Sequence, residues 1–162
     1  MATPTIEKSR AILQKPFESR YADRIARAYY ETTEILGIMA GKCNLVSSAA
    51  ARGIRDAGLA VESVSGYYIP VDDIRLHAIA NMPVPRAEYT HNHHCWLRFP
   101  KDDYSLDITH SQVNPEIPLL LVPTSLEEVN GIFYRKYEVE LLHGNSKEAD
   151  ELRRIWRDAF IL

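Results

Sequence analysis

The stretch Thr90-His91-Asn92-His93-His94-Cys95-Trp96-Leu97-Arg98-Phe99, followed by Pro100-Lys101-Asp102-Asp103 and then Tyr104-Ser105-Leu106-Asp107-Ile108-Thr109, reads as two strands joined by a tight turn. Period-two alternation puts His94, Trp96 and Arg98 on one face of the first strand and Cys95, Leu97 and Phe99 on the other. With Pro100 to Asp103 as the turn, Phe99 pairs with Tyr104, Trp96 with Asp107 and His94 with Thr109. Asp107 is then the diagonal neighbour of His94 on a shared face. A turn one residue shorter or longer, or a bulge, exchanges the faces and puts His93 in place of His94.

Upstream of this hairpin the period is helical. A short segment around Ile6 to Gln14 is stopped by Pro16, and Ser19 can cap a longer helix whose stripe is Tyr21, Ile25, Tyr29, Thr32 and Leu36, ending near Gly37 or Gly41. A second helix runs from Cys43 to Gly58, with Val46, Ala50, Ile54 and Ala57 as its buried stripe, and Cys43 three residues before Val46 on that face. Strand-like runs follow at Val61 to Ile69 and Ile74 to Ile79, and the proline-bearing segment Asn81 to Arg86 is a loop or irregular edge. Downstream, Pro115, Pro118 and Pro123 restrict Ile117 to Val122 to an edge or extended connection. Thr124 and Glu127 have capping-box spacing for a short helix. Phe133 to Leu142 alternates as a strand, and Ser146 can cap a terminal helix bearing Leu152, Ile155, Trp156 and Phe160. Helices first and a sheet after them predict an α+β fold.

The chain has 162 residues, 46% hydrophobic and 25% charged, which suits one domain with its own core. A formal charge of -3 and a pI of about 6.1 supply no basic field for a nucleic-acid backbone or an anionic membrane, and the apolar runs are too short to span a bilayer. The N-terminus has no basic segment followed by a hydrophobic core, which predicts a cytoplasmic protein, with export as an effector left open. Two cysteines, Cys43 and Cys95, are too few for a disulfide framework and are read as thiols.

A cysteine at the head of a helix meets unsatisfied amide donors and the positive end of the helix dipole, both of which favour thiolate. An imidazole brought to it by the hairpin adds the same bias and can carry a proton to a leaving amine, while a carboxylate fixes the ring. Cys43, His94 and Asp107 are the residues in that pattern. The Cys43 amide is a natural oxyanion donor, and Gln112 and Asn44 are candidates for a second.

Gly41-Lys42-Cys43-Asn44 opening a helix, Val64-Ser65-Gly66-Tyr67, His94-Cys95-Trp96-Leu97, and Leu106-Asp107-Ile108-Thr109 followed by Gln112 together resemble the transglutaminase-like branch of the papain-like fold. The resemblance runs from Ala40 to Val122. It implies Cys43 as nucleophile, His94 as general base and acid, and Asp107 as the group that orients the ring. It also implies a single papain-like domain over 1–162, with a helical part at 1–40, a catalytic core at 41–122 and a C-terminal strand and helix at 123–162, the nucleophile helix packing on an antiparallel sheet. The implied activity is thiol-dependent acyl chemistry on a peptide or protein amide, as in a cysteine protease, amidase or protein deamidase, with no cofactor and no metal. Two departures stand out: no glutamine precedes Cys43 closely, and the loop before His94 is long and proline-bearing.

Other readings compete with this one. One is a non-catalytic binding or effector module that keeps the fold. Another is a histidine-rich zinc protein using His91, His93 and His94 with Cys95 or Asp107, which strand alternation disfavours because neighbouring residues point opposite ways. His91-Asn92-His93 spells a nuclease motif's name without its ββα context. Cys95 is expected in the core facing away from His94, Trp96 as packing beside the site, Asp102 and Asp103 as turn formers, and Tyr67, Tyr68 and Tyr89 as cleft or structural tyrosines.

Overall fold

The structure is a computed structural model that describes residues 19–39, 41–138 and 147–161. The helical segment expected at Ile6 to Gln14, the far end of the strand expected to reach Leu142, and the Ser146 cap lie outside the described residues.

The stripe Tyr21, Ile25, Tyr29, Thr32 and Leu36 forms the buried side of helix α1 (Ser19–Leu36), and Gly37 closes it with φ +65°. Helix α2 (Cys43–Asp56) buries Cys43, Val46, Ala50 and Ile54, and Gly58 follows with φ +97°. Strand β1 (Glu62–Tyr68) leads into helix α3 (Val71–Ile79), the proline-bearing loop and strand β2 (His93–Phe99). Strands β3 (Tyr104–Asp107), β4 (Leu120–Pro123) and β5 (Ile132–Glu138) follow, and helix α4 (Lys147–Phe160) ends the described chain.

The five strands make an antiparallel sheet in the order β4-β3-β2-β1-β5. The α+β class stands. The hairpin register is the expected one: Phe99 pairs with Tyr104, Arg98 with Ser105 and Leu97 with Leu106. Asp103 sits at φ +55° in the turn, as a short polar turn former can. Alternation then sorts the core. Leu97, Phe99, Leu106, Leu119 and Leu121 pack with the stripes of α1, α2 and α4 on one face, while Val64, Trp96, Leu120, Val122 and Ile132 form a separate cluster on the other.

Two expectations need correction. Ile74 to Ile79 is helix, not strand: Pro70 stands at its N-cap, where its missing N–H costs nothing, and Asp72 and Asp73 occupy the first turn, where carboxylates favour the helix dipole. None of α3 is fully buried, so no packing face demanded a strand period. Thr124 and Glu127 do not cap a helix either. Thr124 opens a short 3-10 turn, Glu127 stands between that turn and a second one, and the Glu127 carboxylate turns inward, accepting from Trp96 Nε1–H at 2.9 Å, Arg98 Nε–H at 2.8 Å and Ser105 Oγ–H. A buried carboxylate paired with Arg98 satisfies the indole that alternation sends to that face.

Close approach of backbones explains two glycines. A Cβ on Gly53 would stand 2.1 Å from the Arg153 carbonyl oxygen and 2.8 Å from the Arg157 nitrogen, so α2 and α4 cross nearly backbone to backbone. Neither contact can be relieved by a rotamer change. Gly53→Ala is therefore expected to cost about 3 kcal/mol through overpacking, read as a lowered urea midpoint with an unchanged slope. Gly66, directly opposite His94 in the β1–β2 ladder, lies so close to β5 that an added Cβ would stand 2.1 Å from the Phe133 carbonyl oxygen, and it also leaves room for the Trp96 ring, 2.7 Å from that Cβ.

Candidate active site

Gly41, at φ +77°, and Lys42 turn the chain out of α1 and start α2 at Cys43. No side chain caps this N-terminus, so the first-turn amides have no side-chain acceptor and face the end where the thiol sits. Packing of α2 on the sheet brings Cys43 to β2.

His94 and Asp107 are both 0% exposed, whereas Cys43 keeps 6%. Of the three, only the sulfur-bearing residue meets solvent at all. His94 Nε2–H donates to Asp107 Oδ2 at 2.8 Å, the diagonal contact that the hairpin register predicts, and His93 does not take its place. His94 Nδ1 lies 3.2 Å from Gln112 Oε1, and the imidazole also interacts with the Cys43 side chain. Trp96 stacks on the imidazole with ring centres 5.9 Å apart, and Tyr68 meets it edge-on at 5.8 Å. Trp96 is thus the packing residue expected beside the site. Tyr67 is structural, stacked on Phe133, and Tyr89 donates to Asp73, so of the three tyrosines Tyr68 alone reaches the imidazole.

Asp107 is no solvated strand carboxylate. Its Oδ2 also accepts from His110 Nδ1–H at 2.7 Å, and its Oδ1 from the Thr109 amide at 3.2 Å. Burial alone would raise its pKa, but His94 and His110 reverse this and hold it well below the usual carboxylate range. Burial likewise opposes charge on His94, and the Asp107 carboxylate, with Cys43 behind it, raises the imidazole to about 10. At Cys43 the neighbouring Cys95 thiol favours the thiolate most, burial opposes it, and the His94 imidazolium adds to the lowering, leaving the sulfur at about 4. Cys95 moves the other way and stays a thiol. An imidazolium donating from both nitrogens suits its surroundings, because Asp107 Oδ2, Gln112 Oε1 and the thiolate are all acceptors.

These shifts give stability a pH dependence in chelator-treated protein. The folded pair holds one proton, as thiolate and imidazolium. Unfolded, with reference values of about 6.5 and 8.5, it holds two protons below the first, one between them and none above the second. Stability is therefore expected to rise by about 1.4 kcal/mol per pH unit up to roughly pH 6.5 and to stay level to about 8.5. Above that it falls about twice as steeply, because Cys95 also keeps its proton when folded, until His94 titrates near 10. Asp107, depressed, contributes stability that is present above about 3.9 and lost as pH falls through its lower folded value. Urea midpoints at several pH values measure this profile, and Cys43→Ser should move its plateau below about pH 6.5.

Sequence reasoning missed three participants. His110, three residues beyond Asp107 in a tight 3-10 turn, is fully buried and leaves its Nε2 unpartnered. Glu127 anchors Trp96. Cys95 faces away from His94 as expected, yet it is not an isolated core residue, since its thiol interacts with Cys43 and its Sγ lies 3.3 Å from His93 Nε2. Neither cysteine is in a disulfide. Gln112 is beside the imidazole, whereas Asn44 is exposed and accepts from Ser48 Oγ–H. Among the described residues no helix is long and apolar enough to cross a membrane. No protein-family model, curated protein or solved structure matches the chain.

Proposed function

We propose that this chain is a papain-like, transglutaminase-like cysteine enzyme performing acyl chemistry on an amide of a peptide or protein. The observation that carries the reading is the fully buried His94–Asp107 hydrogen bond of 2.8 Å, with its imidazole in contact with a thiol at the first residue of a helix. Cys43 attacks the amide carbon as thiolate, and the Cys43 amide at the helix head stabilises the oxyanion. His94 hands its Nδ1 proton to the leaving amine or ammonia, then takes one from the water that hydrolyses the thioester. Asp107 holds Nε2–H and with it the ring orientation and tautomer. Gln112, beside Nδ1, is the better placed of the two polar candidates for a second oxyanion contact.

A small activated ester tests this without knowledge of the natural substrate. Incubation with p-nitrophenyl acetate is expected to release one nitrophenolate per chain in a burst, place the acetyl group on Cys43 by peptide mapping, and continue into slower turnover. Cys43→Ser should lose both phases. A burst spread over both cysteines with no turnover would argue for a binding module instead.

A further inference from the structure

His93 points away from the imidazole next to it. Residues 93 and 95 share a face of β2, the face on which α2 packs, and the head of α2 delivers Cys43 to them. One ligand atom from each of Cys43, His93 and Cys95 lies within 4.8 Å of the other two, and Cys95 Sγ is already 3.3 Å from His93 Nε2. Around tetrahedral zinc, with bonds of about 2.3 Å to sulfur and 2.0–2.1 Å to nitrogen, ligand atoms stand roughly 3.5–3.8 Å apart. Closing the set requires movements of about an ångström, which the exposed His93 can make. Ser65 stands directly opposite Cys95, sharing its face, and is fully buried with an Oγ that has no hydrogen-bond partner. That oxygen suits a water completing the coordination.

We infer that Cys43, Cys95 and His93 form a binding site for a thiophilic divalent cation, zinc above all, and that its occupancy silences Cys43. Two thiolates and an imidazole select zinc over magnesium or calcium. The cation takes up the Cys43 thiolate, displaces the Cys95 thiol proton to solvent, and leaves Zn2+, two thiolates and a neutral imidazole with no net charge. A sulfur lone pair bound to zinc is no longer available to attack carbon. His94 and Asp107 lie across the strand and are not ligands, so this donor set differs from one built on consecutive histidines. The silencing rests on Cys43 being the nucleophile, whereas the binding does not.

Cobalt(II) and zinc(II), added to the purified full chain in a non-thiol reductant, provide the test. Cobalt is expected to bind one per chain with a thiolate-to-cobalt charge-transfer band, displaced by one equivalent of zinc and lost in His93→Ala. Zinc should slow iodoacetamide labelling of Cys43 about tenfold or more, reversibly with EDTA, and the ratio of rates without and with zinc should fall towards one in His93→Ala. Because each protein is compared with itself, a changed basal rate does not matter. His93 is exposed, so its substitution spares the core. No cobalt–thiolate band at stoichiometric metal, or protection undiminished in His93→Ala, would overturn the site. A cobalt band in a chain whose Cys43 labels as an ordinary thiol would leave the site standing and sink the nucleophile.

Discussion

Asp107→Ala lowers stability by about 3–5 kcal/mol, the largest effect expected of any single substitution here. Asp107 is fully buried and serves three donors: His94 Nε2–H, His110 Nδ1–H and the Thr109 amide. Removing it strands all three in a region that water does not reach, and leaves charge on His94 without its compensating carboxylate. The imidazole then loses its proton, and Cys43 loses the cation that favours its thiolate. Asp107→Asn, which keeps shape and one acceptor, is expected to cost less stability while still lowering the His94 pKa. Urea unfolding of the two variants separates packing from charge. Equal losses in both would show that the charge matters more than the cavity.

Turnover of the nitrophenyl ester by His94→Ala is expected to fall about 10²–10⁴-fold, with the initial acetylation reduced much less. Acetylation needs a thiolate, which the Cys95 thiol and the helix terminus still favour when His94 is gone. Deacylation needs a base to activate water, and the Gln112 amide beside the vacated position is not one. The acetyl-enzyme should therefore accumulate, visible as a mass increase on Cys43. A variant that turns over like the parent would place the base elsewhere.

Much of this arrangement was legible in the sequence because its periods are strong. The β2–β3 turn has one simple reading, and period-two alternation from Phe99 back to His94 sends the imidazole to the face of Asp107. The stripes of α1, α2 and α4 emerge as expected because each buries a continuous apolar face. Where sequence reasoning failed, a local signal was weak or was overridden by tertiary contacts. Ile74 to Ile79 carries β-branched residues, but Pro70 and two first-turn aspartates determine its conformation at an exposed position. Glu127 has capping-box spacing, yet the buried Trp96 and Arg98 offer its carboxylate better partners than a helix N-terminus. The Cys43–Cys95–His93 cluster was hidden because it exists only once the head of α2 is packed against the i, i+2 pair on one face of β2, a tertiary contact that strand period alone does not give. His110 needed the turn after β3, whose tightness the sequence does not announce.

The central claim is that His94 and Asp107 hold Cys43 as a reactive thiolate. Its most direct test is the pH dependence of iodoacetamide labelling at Cys43, followed by peptide mapping in chelator-treated wild type and His94→Ala. Low-pKa thiolates are intrinsically weaker nucleophiles, so the shape of the profile carries the information, not the absolute rate. The account predicts a wild-type rate nearly level from about pH 5 to 8, with a midpoint below that range and near the Cys43 value of about 4. In His94→Ala the midpoint should rise by at least about one unit. A wild-type profile that climbs through about pH 8.5 like an ordinary thiol, indifferent to His94, would contradict it.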